Sequence, residues 1–159
     1  MNQVRPKKNL GQHFLRDENI ARKIAESLTR HGDYQTVVEV GPGMGVLSKF
    51  LIPDERYQWY GVEIDRDSIA YLKEHYPGQR DRLIEGDFLK LPLDQLFKDQ
   101  KLAVIGNFPY NISTQIVFKI LENVDQVTEM VGMFQKEVAR RIASPPGSKE
   151  YGILSVLGQ

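Results

Sequence analysis

Short apolar, β-branched runs recur along the chain, and a stretch of helical character separates most of them. TVVEV (36–40), QWYGVEI (58–64), RLIEG (82–86), KLAVIGN (101–107) and QVTEMVGMF (126–134) read as buried strands. Between and around them, RDENIARKIAESLTRHG (16–32), GVLSKFLI (45–52), RDSIAYLKEHY (66–76), STQIVFKILEN (113–123) and QKEVARRIA (135–143) read as helices. In the first helix Ile20, Ile24 and Leu28 share a face, Asp17 is placed to cap the start and Gly32 the end. Pro53 closes the second. Strands that alternate with helices cannot bury both sheet faces as a hairpin meander. The arrangement that can is an α/β fold, a doubly wound, mostly parallel sheet with helices on both sides. Ligands of such sheets sit beyond the carboxyl ends of the strands, at the point where the strand order reverses.

The rest of the composition narrows the function classes. A chain of 159 residues, 41% hydrophobic, suits one domain. No run approaches the roughly 18 apolar residues of a membrane span, and MNQVRPKKNLGQHF lacks the apolar stretch of a secretory signal, so the expectation is a cytoplasmic protein without membrane contact. Without cysteine there are no disulfides or thiolate sites, and His13, His31 and His75 are too scattered for a metal, so none is expected. Net charge is zero, although VRPKK and QKEVARR are locally basic. The final YGILSVLGQ reads as the beginning of a further helix or strand, which suggests a piece of a longer protein.

The strand ends carry the chemistry. VVEVGPGMG places Gly41, Gly43 and Gly45 directly after the first strand, where backbone can approach a ligand closely and a following helix presents free N–H groups. Glu63 ends the second strand, 22 residues after Gly41, the spacing at which a carboxylate accepts both hydroxyls of a ribose. These features suit an adenosine-bearing cofactor, either a nicotinamide dinucleotide or S-adenosylmethionine. Glu39, just before the glycines, favours the second: it would repel a pyrophosphate and is compatible with a cationic amino-acid group. After the third strand, Asp87 could accept from an adenine amine with Phe88 packing on the ring, or Asp87 could simply cap the next helix.

The fourth strand runs into NFPYNIS. An exocyclic amine on a base is a poor nucleophile because its lone pair is delocalised into the ring. An amide oxygen on Asn107 and the Phe108 carbonyl, held by Pro109, could accept its two hydrogens and free that lone pair, while Tyr110 stacks on the base. A sulfonium methyl is already electrophilic, so positioning and electrostatics suffice. The plainer alternative is a proline turn before a helix capped by Ser113.

NLGQHFL, EVGPGMGVLS, VEID, GDF, NFPYNIS, FQKEVARRI and YGILSV, in this order, resemble the ribosomal RNA adenine dimethyltransferases, in particular the bacterial enzymes acting on small-subunit RNA. The resemblance implies a class I S-adenosylmethionine-dependent methyltransferase fold (Rossmann-like) that lacks its final strands. It implies S-adenosylmethionine as methyl donor and two methylations on each of two adjacent adenosines near the 3′ end of small-subunit ribosomal RNA. The 30S subunit is the implied partner, and a monomer is expected. Residues 1–15 become an arm with a cofactor-covering motif, and 16–159 an incomplete methyltransferase domain. A C-terminal helical RNA-binding domain is then missing, so weak or absent methylation of ribosomal subunits is expected. By the resemblance, His13, Leu15, Gly41, Glu63, Asp87 and Asn107 line the cofactor, and Asn107, Pro109 and Tyr110 carry the amine chemistry. The family usually has Leu or Ile where this chain has Phe108, which keeps the carbonyl but bears on pocket shape; a non-proline residue there accords with dimethylation. Other readings are a macrolide-resistance methylase of large-subunit RNA, an RNA-binding ribosome-assembly module with weak or no catalysis, and a Rossmann dehydrogenase.

Overall fold

The apolar runs become β1 (Thr36–Val40), β2 (Gln58–Glu63), β3 (Leu83–Glu85), β4 (Leu102–Asn107) and β5 (Val127–Gln135) in a computed structural model that describes residues 17–108, 112–135 and 151–157. A sixth strand, β6 (Tyr151–Leu157), resolves the helix-or-strand reading of the last segment in favour of a strand. The sheet order is β3-β2-β1-β4-β5-β6. The first five strands are mutually parallel, and β6 runs antiparallel to β5. All five residues of β1 are buried, as expected of a central strand covered on both faces.

The period of two along the strands divides the core. On one face Val38, Val40, Val104 and Met130 pack with Phe88, Phe97, Phe108 and the buried side of α5 (Ser113–Glu122), namely Ile116, Val117 and Ile120. On the other, Val37, Trp59, Ile105 and Val131 pack with Ala21 and Ile24 of α1 (Glu18–Glu26) and Leu51 of α2 (Ser48–Leu51). α3 (Arg66–His75) and the short α4 (Leu93–Leu96) complete the helices. Truncating one of these fully buried side chains, such as Leu102 or Ile116, costs about 2–5 kcal/mol.

Two helix boundaries and one cap differ from the sequence reading. Asp17 does cap α1, accepting from the Asn19 amide at 2.8 Å, but the helix stops at Glu26 rather than Gly32. The cause is tertiary. Thr29 gives its N–H and hydroxyl to the buried carboxylate of Glu129, at 2.9 and 2.8 Å, and Tyr34 donates to the same carboxylate at 2.6 Å. The second helix starts at Ser48, not Gly45, after a turn through the glycines. Ser113 is the first residue of α5, fully buried, and the cap position is Ile112. The NLGQHFL arm, Pro109, Tyr110 and the helix expected at 135–143 beyond Gln135 lie outside the described residues.

Candidate functional site

Strand register assembles the site. Val40 pairs with both Val62 and Gly106, and Glu63 pairs with Glu85. The residues that follow these pairs therefore emerge at one edge of the sheet: Gly41 after β1, Ile64 after β2, Asp87 after β3, and Asn107 at the end of β4. Chain connection from β1 runs to β2 on one side, whereas β4 lies on the other, so the edge between β1 and β4 is the reversal point of the sheet. A cleft of about 60 Å³ opens there, lined by Gly41, Glu63, Ile64, Asp87, Phe88 and Asn107 among others. Five of these six were expected from the sequence. Ile64 was not, although its signal was present: an apolar residue directly after the acid of the second strand, 55% exposed and suited to lie against a flat ring.

The glycine turn requires its glycines. Gly41, Gly43 and Gly45 have φ of +68°, +57° and +81°, a region costly for side chains with a Cβ. At Gly41 a Cβ would meet nothing within 4 Å, so its missing side chain leaves open space beside the cleft. Gly43 does not line the cleft; its N–H donates to Glu63 Oε1 at 2.8 Å. Glu63 Oε2 accepts from the N–H groups of Ile64 and Asp65, both at 3.0 Å. One carboxylate, 2% exposed, thus ties the glycine turn to the end of β2. Burial pushes its pKa up, while its three amide donors pull the other way. A carboxylate offers about four acceptor positions, so capacity remains on Oε1 for a ligand hydroxyl.

Glu39 turns away from this cleft. Its Oε1 accepts from Ser48 Oγ at 2.6 Å and from Trp59 Nε1 at 3.0 Å, behind the sheet, and burial pushes its pKa up to about 7. It joins α2 to β2 within the core and does not face a ligand's cationic group. Asp87 has the capping role read from the sequence and also lines the cleft. It caps the 3₁₀ turn Phe88–Lys90, accepting from the Leu89 amide at 3.0 Å. Phe88 is 3% exposed and belongs to the core as well as the cleft wall. Lys119, on α5, holds this segment from behind: its Nζ donates to the carbonyls of Phe88 and of Leu91, the latter at 2.5 Å, and stands 4.9 Å from the Phe88 ring centre. Sequence spacing gives no sign of that bridge, because its two ends are about thirty residues apart.

Asn107 is half-buried at the end of β4 and lines the cleft. The next side chain does not enter it. Phe108 is 3% exposed and packs in the core beside Val104 and Met130, so its size leaves the cleft unobstructed. His13, Leu15, Pro109 and Tyr110 lie outside the described residues.

Comparison with known proteins identifies the family and the fold. The family model for ribosomal RNA adenine dimethylase matches residues 3–159. Ribosomal RNA small subunit methyltransferase A of Cytophaga hutchinsonii is 54% identical over the whole chain, which covers 61% of that protein. The same-named protein of Bacteroides fragilis is also 54% identical, and the chain covers 58% of it. The chain thus spans about 60% of the length of these relatives. Among solved structures, a dimethyladenosine transferase from Plasmodium falciparum is similar with a TM-score of 0.61 and 27% identity, over 80% of this chain and 45% of that one. An RNA methyltransferase from Salinibacter ruber, solved with S-adenosyl-L-homocysteine, shares the fold at a TM-score of 0.65 and 12% identity, over 89% and 92%. The sheet is accordingly that of class I methyltransferases, and, with a match running over all but its first two residues, the chain belongs to the ribosomal RNA adenine dimethylase family.

Proposed function

We propose that this chain is the cofactor-binding and catalytic part of an enzyme that uses S-adenosylmethionine to dimethylate N6 of two adjacent adenosines in small-subunit ribosomal RNA. Its setting is ribosome biogenesis in the cytoplasm, its partner the 30S subunit, and its state a monomer. The observation that carries this reading is the convergence of Gly41, Glu63, Asp87 and Asn107 at the sheet's reversal point. In support, Glu63 retains acceptor capacity, Gly41 leaves room beside it, and Asp87 lines the same cleft, as a ribose and an adenine amine would require. The family match and the methyltransferase fold favour S-adenosylmethionine over a dinucleotide. His13 and Leu15 are assigned to cover the cofactor.

S-adenosylmethionine, when bound, supplies a methyl group activated by the sulfonium charge. The chain's part is to prepare the nitrogen. Asn107 Oδ1 and the Phe108 carbonyl accept the two amine hydrogens, which draws the nitrogen out of conjugation and aims its lone pair, while Pro109 fixes the backbone and Tyr110 stacks on the base. Calorimetric titration with S-adenosylmethionine, followed by methyl transfer to 30S particles and to naked large-subunit RNA, tests the assignment. Cofactor binding and dimethyladenosine formed on 30S particles, at a low rate for this chain alone, are expected. Binding of a nicotinamide dinucleotide in place of S-adenosylmethionine, or preference for large-subunit RNA, would overturn it.

A further inference from the structure

Phe108 follows Asn107 in the chain and carries the second group assigned to the target amine, its own carbonyl, and its ring lies over the bare Cα of Gly132. Gly106 and Gly132 are register partners on β4 and β5. Phe108 follows Gly106 by two residues and so faces the same side of the sheet. A Cβ on Gly132 would lie 2.6 Å from Phe108 Cδ2, nearer still to Cε2, and 2.6 Å from the Gly106 carbonyl oxygen. Gly106 answers to a different neighbour: a Cβ there would lie 2.7 Å from the Val40 carbonyl oxygen and 3.4 Å from Phe108 Cε1. Neither glycine is among the described residues with positive φ, so space rather than backbone conformation demands them. The ring is 3% exposed, closed in by the core cluster that contains Val104, Met130 and Ile116.

We propose that Gly132 is a positioning residue for methyl transfer: its missing side chain forms the seat of the Phe108 ring, and the seated ring sets the depth and orientation of the Asn107 amide and Phe108 carbonyl. The inference rests on the proposed function for the meaning of those two groups. Gly132 touches neither cofactor nor base. It acts through the ring of Phe108, a residue whose backbone carries one of the two groups assigned to the amine and adjoins the other. The bulk at 108 and the lack of it at 132 are one feature, divided between two strands, because packed interiors leave no slack for an added methyl group.

The experiment compares the parent chain with Gly132→Ala, Phe108→Leu and the double variant. Each is assayed for S-adenosylmethionine affinity by calorimetry, for the side-chain amide resonances of Asn107 by NMR, and for methyl transfer to 30S particles. Gly132→Ala is expected to bind the cofactor within about twofold of the parent, to shift the Asn107 amide resonances, and to lose on the order of a hundredfold in turnover, the scale of a displacement of about 1 Å at a reacting group. Adding Phe108→Leu to Gly132→Ala should return the resonances toward the parent and recover part of the turnover; the nearby Gly106 carbonyl keeps the recovery incomplete. The proposal is overturned if the Asn107 resonances of Gly132→Ala match the parent's, or if the two substitutions are additive or worse in combination. A parent that binds no S-adenosylmethionine would count against the proposed function, while the Asn107 resonances would still report whether the seat exists.

Discussion

Replacing Glu63 by glutamine should do far more harm than the same change at Glu39, although both are carboxylates buried to 2% exposure. Glu39 receives both of its donors, Ser48 and Trp59, on a single oxygen. A glutamine carbonyl can replace that oxygen and keep both bonds. Glu63 receives donors on both oxygens: Gly43 on Oε1, Ile64 and Asp65 on Oε2. A glutamine there can serve one side only. Its carbonyl best serves Ile64 and Asp65, which turns an NH₂ toward the Gly43 N–H and leaves that buried donor without an acceptor. The cost is about 1–3 kcal/mol, and at roughly 2–4 °C per kcal/mol for a chain of this size the melting temperature should fall by about 2–12 °C. Cofactor binding should suffer as well, because a charged acceptor is lost; about 1.5–3 kcal/mol for such a bond corresponds to roughly 10–150-fold in affinity. Differential scanning calorimetry and titration with S-adenosylmethionine on Glu63→Gln and Glu39→Gln check both. Parental melting temperature and affinity in Glu63→Gln, or equal damage in the two variants, would refute the argument from oxygen-by-oxygen occupancy.

Glu39 also predicts a pH dependence. Its pKa is about 7 in the folded chain against an ordinary 4.5, because burial disfavours the charge. The folded state therefore holds this proton more tightly than the unfolded state. The resulting stabilisation is complete below the ordinary value and is lost as pH rises through about 7, a change of about 3 kcal/mol at most. Urea midpoints of the parent should decline over that window relative to those of Glu39→Gln, in which the decline should be absent. Asn107→Ala should lower methyl transfer to 30S particles by on the order of 10²–10³-fold, as for loss of one preorganised polar group at a reacting centre, which single-turnover assays with radiolabelled donor would measure. Lys119→Met keeps the apolar stem but abandons the carbonyls of Phe88 and Leu91; a loss of about 1–2 kcal/mol is expected in urea unfolding, with a weaker cofactor site because Phe88 and Asp87 lie on the released segment.

The alternation of β-branched runs with helical stretches was enough to define the α/β class, to place five strands to within about a residue of their ends, and to mark Gly41, Glu63, Asp87 and Asn107 as strand-end residues. Those features are local: a period of two or 3.6, a glycine where φ is positive, an acid at a strand terminus. What followed from long-range pairing was not legible. Nothing along the chain says that β1 lies between β2 and β4, yet that order makes the four residues neighbours. The end of α1 depends on Glu129, a hundred residues away, and the role of Glu63 as a clasp on Gly43 depends on the close approach of a turn to a neighbouring strand. Glu39 and Phe108 are the plainest cases. Each sits beside a functional motif and looks aimed at the ligand in sequence, but strand pleat sends one behind the sheet to Ser48 and Trp59 and the other into the core over Gly132. Side-chain direction is set by the strand's rotation against its neighbours, and available space by which residues those neighbours lack. Both are properties of the packed sheet, and no single segment encodes them.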